Sequence, residues 1–516
     1  MDILISVFGK GTANALGDAF GLVFTMKVMI SIFGSALFGL FVGSIPGLTA
    51  TMATALLVPI TFFMDPIPAI AAIVTCVATA IFAGDIPGCL LRIPGTPASA
   101  AYVDEAYAMT RKGQAEKALG TALVCAVLGG MFGAIVLSLA APQLADVALK
   151  FSSFETFWLA CLGLTCAVII SADKPLKGVV SLFLGLFISV IGIGVVAGYP
   201  RYTFDNVELM GGVSFIPAMI GMFAISEVLR YVTTTHHIPR VTQESFGNMF
   251  RGIGGTLKSY WPNLLRSSTI GTAIGILPGA GADIAAWVAY ATGKKFSKTP
   301  EKFGTGHVEG LVDAGSANNA GLGGAWVPAL VFGIPGDSIT AIAIGVLFMK
   351  DMTPGPTLFL MNPEKVYAVF VLFFVANLFL LPLGFAAIKA SRQILRIPSH
   401  ALMPIIMMFC IVGAFAINNT VFGVTVMLVL GVIAYVMEEN GFPVAPTILG
   451  IVLGPLLEDN FVTSMIKSDG SFLGFFERPI AGGLGVVTLL VWFVPLFIFI
   501  YKKRHRPTPP TNPNAI

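Results

Sequence analysis

The chain has 516 residues, 56% of them hydrophobic and only 11% charged, with a net charge of +3. Soluble domains carry about 25% charged residues, so this composition excludes a soluble globular fold. It predicts an all-α polytopic membrane protein with no nucleic-acid partner.

The first twenty residues, MDILISVFGKGTANALGDAF, lack the basic start, apolar middle and small-residue cleavage site of a signal peptide. They read as a short amphipathic entry to the first span. Apolar runs then recur near 20–42, 116–141, 153–171, 177–199, 212–232, 256–277, 366–388, 400–437 (one span or two) and 482–501. Shorter segments interrupted by Gly and Pro lie between 46 and 110 and between 280 and 348. Counting about 20 residues per crossing, the chain makes about eleven or twelve passes.

Basic residues set the expected orientation. Lys502, Lys503, Arg504 and Arg506 follow the last apolar run and place the C-terminus in the cytoplasm. Arg240 and Arg251, with His236 and His237 nearby, mark a cytoplasmic linker, and Lys389, Arg392 and Arg396 a third basic loop. The six cysteines, at 76, 89, 125, 161, 166 and 410, lie in apolar segments without metal or redox spacing and read as buried thiols.

Two stretches share one design. GLFVGSIPG at 39–47 and GTAIGILPG at 271–279 both read Gly-x-x-x-Gly-x-x-Pro-Gly. Each precedes a second landmark, LLRIPGTP around Pro94 and VFGIPGDS around Pro335. The pattern predicts two repeats. Repeat 1 spans 1–235, with motifs at 39–54 and 84–113, and a basic cytoplasmic linker occupies 236–255. Repeat 2 spans 256–501, with motifs at 271–295 and 313–340, and a cytoplasmic tail occupies 502–516. Repeat 1 has its basic tip after its second landmark, at Arg111, Lys112 and Lys117; repeat 2 has its tip between its landmarks, at Lys294, Lys295 and Lys298. Basic tips at non-equivalent places indicate inverted repeats.

A proline inside a helix costs about 3 kcal/mol, and backbone groups freed by a break cannot face lipid. Such breaks persist where they are buried or line a wet cavity. Helix N-termini brought together near the midplane bind anions, and exposed carbonyls bind cations. The expected substrate-binding set is Pro46, Gly47, Thr49, Thr51, Arg92, Gly95, Thr96, Ser99, Gly279, Asn318, Asn319 and Gly336. Asp85, Asp283, Asp337 and Ser338 are the expected coupling-ion residues, since ionisable groups at membrane depth are costly and functional or paired. Two roles fit Arg92: holding a substrate carboxylate, or pairing with Asp85 as a strut. Asp283 and Asp337 serve as cation ligands, proton carriers or helix caps. Gly39, Gly43, Gly271 and Gly275 read as packing positions. Asp313 and Glu227 read as interface residues, and His307 as a loop residue. No phosphate loop, metal cluster or nucleophile triad is present in the sequence, so the chain is read as a non-enzyme without cofactors, driven by an ion gradient.

The stretches SIPGLTATMATALLVPITFFMDP, IPGTPASAAYVDEAYAMTRKGQAEKALG, GILPGAGADIAAWVAY, SANNAGLGGAWVPALVFGIPGDS and ILGIVLGPLLEDNF resemble the large membrane subunit of tripartite tricarboxylate transporters, TctA. The resemblance covers nearly the whole chain. It implies a symporter of the bacterial inner membrane importing tri- or dicarboxylates with Na⁺ or H⁺ by elevator-like alternating access. It also implies two partners, a small four-helix membrane subunit (TctB-like) and a periplasmic solute-binding protein (TctC-like). Three departures stand out. Arg92 replaces the Asn of LLNIPGTP, Asp85 falls in a segment that is often Gly-Gly-Ser, and Ala314-Gly315 replace a Pro-Glu pair. Aromatic or sugar acids are alternative substrates, and an uncoupled channel or membrane scaffold is the alternative class. The hydroxyl-rich breaks favour Na⁺.

Overall fold

The structure is a computed structural model that describes residues 10–45, 48–170, 175–194, 198–233, 252–277, 281–394 and 399–504. Pro46, Gly47, Pro278 and Gly279, and most of the 236–255 linker, lie outside these.

The first half holds α1 (Lys10–Val23), α2 (Met26–Gly43), α3 (Ala50–Phe62), α4 (Pro66–Ala83), α5 (Asp85–Leu91), α6 (Val103–Arg111), α7 (Ala115–Ala148), α8 (Ser153–Ile170) and α9 (Pro175–Ser189). A hairpin of β1 (Gly192–Ile193) and β2 (Pro200–Arg201) follows, then α10 (Val207–Met210) and α11 (Phe215–Ile220). A π-turn leads on to α12 (Ser226–Thr233). The second half holds α13 (Ile253–Gly275), α14 (Gly281–Phe296), α15 (Val308–Phe332), α16 (Ser338–Met349), α17 (Pro356–Met361) and α18 (Pro363–Ile394). It closes with α19 (Ser399–Asn418), α20 (Val421–Glu439), α21 (Ala445–Lys467), α22 (Gly474–Glu477) and α23 (Pro479–Arg504). Among the described residues, seven helices are long and apolar enough to cross a membrane, and five shorter apolar helices accompany them. The chain is an all-α polytopic membrane protein.

Two elements differ from expectation, and one open alternative is decided. The apolar run 177–199 is not one span: its helix stops at Ser189, and Gly192 and Gly198 at positive φ turn the chain into the hairpin. The run 400–437 is two helices, parted at Asn419 in the left-handed region. Conversely, α21 is long and apolar enough to span although Glu458, Asp459 and Asn460 break its apolar run. Arg201 pairs with Glu458 through its two terminal guanidinium nitrogens, at 2.6 and 3.0 Å, which offsets the cost of the carboxylate.

The long helices pack through small residues, as the sequence suggested. A Cβ at Gly39 would stand 2.5 Å from the Cys76 carbonyl on α4, and one at Gly275 would stand 2.3 Å from the Gly321 carbonyl on α15. The α2–α4 and α13–α15 pairs therefore approach with backbone nearly touching backbone. Along α15, Gly323 meets Gly133 of α7, and Trp326 packs edge-on against Phe373 of α18.

Each landmark loop then folds back on the helix before it. After α5, Arg92 closes the helix in the left-handed conformation (φ 61°) and the Ile93 amide reaches the Pro87 carbonyl. After α15, Gly333 does the same (φ 67°) and the Ile334 amide reaches the Pro328 carbonyl. Gly95 then lies against Gly84, and Gly336 against Ala325. The same backbone device is built twice.

Four short helices lead away from these middle segments. α3 ends at Phe62, whose carbonyl accepts from Lys350 just beyond α16 (2.8 Å). α6 ends beside Lys112, which donates to the Thr305 carbonyl in the loop after α14 (2.7 Å). So α3 and α16 converge on one tip contact, and α6 and α14 on another. The second is reinforced by Glu105 of α6. Its buried carboxylate accepts the amides of Gly304, Gly306 (2.7 Å) and His307 (2.6 Å) and the Tyr290 hydroxyl.

Candidate functional site

A cavity with about 30 Å³ of water-accessible space lies where the two halves meet. Among its lining residues are Thr49, Thr51 and Thr96 from the first half and Asp283, Asn318, Asp337 and Ser338 from the second. The helix breaks create this convergence. Thr49 caps α3, its hydroxyl accepting the Met52 amide (3.2 Å), so Thr51 sits in the first turn. Asp283 occupies the first turn of α14 and accepts the Ala98 amide at 3.2 Å, tying that helix to the first landmark loop. Trp287, one turn on, donates to the Pro97 carbonyl (3.2 Å).

The two landmark loops present matched caps. Thr96 and Ser99 bond reciprocally: each hydroxyl accepts the other residue's amide at 3.0 Å. Asp337 and Thr340 form a capping box, with the Asp337 carboxylate accepting the Thr340 amide (2.7 Å) and the Thr340 hydroxyl accepting the Asp337 amide (2.8 Å). The position that is Thr96 in the first loop is thus Asp337 in the second. Thr51 and Asp283 also match, each five residues after the proline of its break. Hydroxyls from one half therefore face carboxylates from the other. Gly281 (φ 59°) makes the approach possible, since a Cβ there would lie 2.6 Å from that of Asp337.

Not every expected residue reaches the cavity. Arg92 is exposed and pairs with Asp104 at 2.8 Å rather than with Asp85. Asp85 is buried and accepts from the Tyr102 hydroxyl (2.5 Å), which in turn accepts from Asn318 (3.4 Å). Ser99 is spent on the Thr96 turn, and Gly95 and Gly336 serve the fold-back packing. Asn319 is buried behind Asn318, its Nδ2 without a hydrogen-bond partner among the described residues. Pro46, Gly47 and Gly279 fall outside the described residues. Tyr102, which orients Asp85 and Asn318, carried no sequence signal. A tyrosine in a segment of Ala, Val and Tyr shows no spacing that sets it apart.

Three further ionisable groups are structural. Asp313 is buried against Arg266 (2.8 Å) and Ser267 (2.6 Å), Glu227 pairs with Arg230 (3.3 Å), and His307 N-caps α15 and lies 3.2 Å from Glu309.

Broken helices meeting at a small polar cavity inside a multi-pass helical protein define a membrane transport subunit. Residues 29–449 match the family described as the Tripartite tricarboxylate transporter TctA family, and the chain belongs to that family. An Agrobacterium vitis protein described as "Uncharacterized 52.8 kDa protein in TAR-I ttuC' 3'region" is 32% identical over 496 residues, 95% of this chain and 97% of the relative. A second from the same organism, "Uncharacterized protein in TAR-II ttuC' 3'region", is 36% identical over 228 residues, 44% of this chain and 94% of the relative. No solved structure matches.

Proposed function

We propose that the chain is the permease subunit of a binding-protein-dependent secondary transporter of the bacterial inner membrane. It imports tri- or dicarboxylates with Na⁺ by elevator-like alternating access. A small four-helix membrane subunit and a periplasmic solute-binding protein complete the system. The observation that carries this reading is the meeting of Thr51 and Thr96 with Asp283 and Asp337 in one cavity at the ends of broken helices. Hydroxyls and helix N-termini suit the anion, and paired carboxylates suit the cation. The cavity's small volume fits an occluded site that opens by movement, rather than the continuous polar pore a channel needs.

The tip contacts support inverted repeats. α3 and α14 follow equivalent breaks, yet one runs to the Lys350 contact and the other to the Lys112 contact. α6 and α16 are exchanged in the same way.

The test is uptake of labelled citrate and a panel of dicarboxylates by proteoliposomes. These hold the chain with its small membrane subunit and are supplied with the binding protein. Uptake that requires an inward Na⁺ gradient is expected. Uptake driven by a proton gradient alone overturns the choice of ion. Flux that persists at equal rate without any ion gradient overturns coupling.

A further inference from the structure

Away from the site, a second cavity system runs along α8, α9, α21 and α23. Its main part holds about 850 Å³ and is walled almost wholly by apolar side chains, among them Leu164, Val168, Val179, Leu186, Phe461 and Trp492. At one end it reaches Ser189, Arg201 and Glu458, which also line a smaller cavity of about 190 Å³ under the hairpin backbone. The compartment is amphipathic, with a long apolar trough closed at one end by an ion pair and peptide groups.

We infer that this compartment holds one phospholipid with a zwitterionic, phosphoethanolamine-type headgroup. Its phosphate lies at Arg201, its ammonium at Glu458 and an acyl chain in the trough.

Four observations carry this. The Arg201 Nη1 and Nη2 atoms are taken by Glu458, but its Nε is buried without a hydrogen-bond partner among the described residues. A buried guanidinium N–H without an acceptor calls for a ligand oxygen. Gly194 lies against that atom, where a Cβ would stand 3.2 Å from it. Second, the Arg201–Glu458 pair is neutral overall, which suits a headgroup carrying both charges and disfavours one with net negative charge. Third, the hairpin around Arg201 exposes Tyr199, Tyr202 and Phe204. Tyrosines of this kind sit at headgroup level. Fourth, from Ser189 back to Val179 the trough follows α9 for ten residues, about 15 Å. That is half of a hydrocarbon core of about 30 Å, the depth of one leaflet.

The experiment reconstitutes the full chain in phosphatidylcholine vesicles doped with phosphatidylethanolamine or phosphatidylglycerol carrying brominated chains. Quenching of Trp492 is read as the difference from Trp492→Phe. Saturable quenching by phosphatidylethanolamine, about threefold stronger than by phosphatidylglycerol at equal mole fraction, is expected. Val179→Phe, which fills the trough from its exposed side, removes the saturable part. The double variant Arg201→Met/Glu458→Leu replaces the pair by apolar groups of similar length, which a fold tolerates better than loss of one partner. It abolishes the headgroup preference while quenching persists. Quenching that only tracks bulk mole fraction overturns the site, and equal quenching by both lipids overturns the headgroup assignment. Complete displacement of the brominated lipid by the small membrane subunit shows that a protein helix is the occupant and also overturns the proposal.

Discussion

At the scale of single residues, the cavity turns on whether Asp337 caps a helix or also binds an ion. Its carboxylate accepts both the amide and the hydroxyl of Thr340, so capping alone would explain an acid here. Asn caps as well as Asp, whereas Ala costs about 1 kcal/mol of helix stability. Asp337→Asn is therefore expected to keep the thermal midpoint of the purified protein, and Asp337→Ala to lower it. If the carboxylate also holds the cation, Asp337→Asn raises the Na⁺ concentration for half-maximal uptake about tenfold, a loss of 1.4 kcal/mol. Unchanged Na⁺ dependence in a folded Asp337→Asn protein reduces the residue to a cap. Arg92 illustrates the reverse case. Its left-handed backbone suits Asn or Gly better than Arg. The exposed pair with Asp104 takes the guanidinium away from the cavity.

At the scale of elements, the glycines carry the packing. Gly275→Ala places a methyl 2.3 Å from the Gly321 carbonyl and 3.1 Å from the Ala325 amide. Separating α13 from α15 in this way is expected to cost about 1–3 kcal/mol, read as a lower melting temperature in detergent. Gly34→Ala, on the exposed face of α2 with nothing within 4 Å, leaves that temperature unchanged or raises it, since Ala is the better helix former by about 1 kcal/mol. Equal effects of the two would contradict close packing at the break. These same glycines made the broken helices legible in the sequence, because Gly-x-x-x-Gly-x-x-Pro-Gly recurs and both packing and breaking depend on local residue type. The hairpin at 192–201 was hidden because Ile191, Ile193, Val195 and Val196 keep the run apolar while glycines bend it. α21 was hidden for the opposite reason: Glu458, Asp459 and Asn460 interrupt its apolar run, and the partner of Glu458, Arg201, lies 257 residues away. The cavity was half legible. Residues next to a break could be named, but Tyr102 and the Glu105 clamp depend on partners that sequence distance conceals.

At the scale of the whole molecule, the question is which way each half faces. The tip after α3 carries Asp65, and the equivalent tip after α14 carries Lys298; the tips after α6 and α16 carry Lys112 and Asp351. Parallel repeats would put each equivalent pair on one side of the membrane. The contacts instead join Lys112 to Thr305 in the loop that follows α14, and Lys350 to Phe62 and Met64 at the end of α3. Non-equivalent tips meet. All four residues are solvent-exposed, so each can be replaced by cysteine in a background stripped of the six native thiols and probed with a membrane-impermeant maleimide. Lys112→Cys and Lys298→Cys are expected to label only once the cytoplasmic face is opened, as basic tips require. Asp65→Cys and Asp351→Cys label in intact spheroplasts. Should Asp65→Cys and Lys298→Cys label from the same face, the halves are parallel. The hydroxyl and carboxylate ends of the cavity would then not be related by a two-fold axis in the membrane plane, and the proposed elevator movement of matched halves would lose its structural basis. Labelling from opposite faces leaves the two breaks related by an axis in the membrane plane, through the cavity that Thr51, Thr96, Asp283 and Asp337 share.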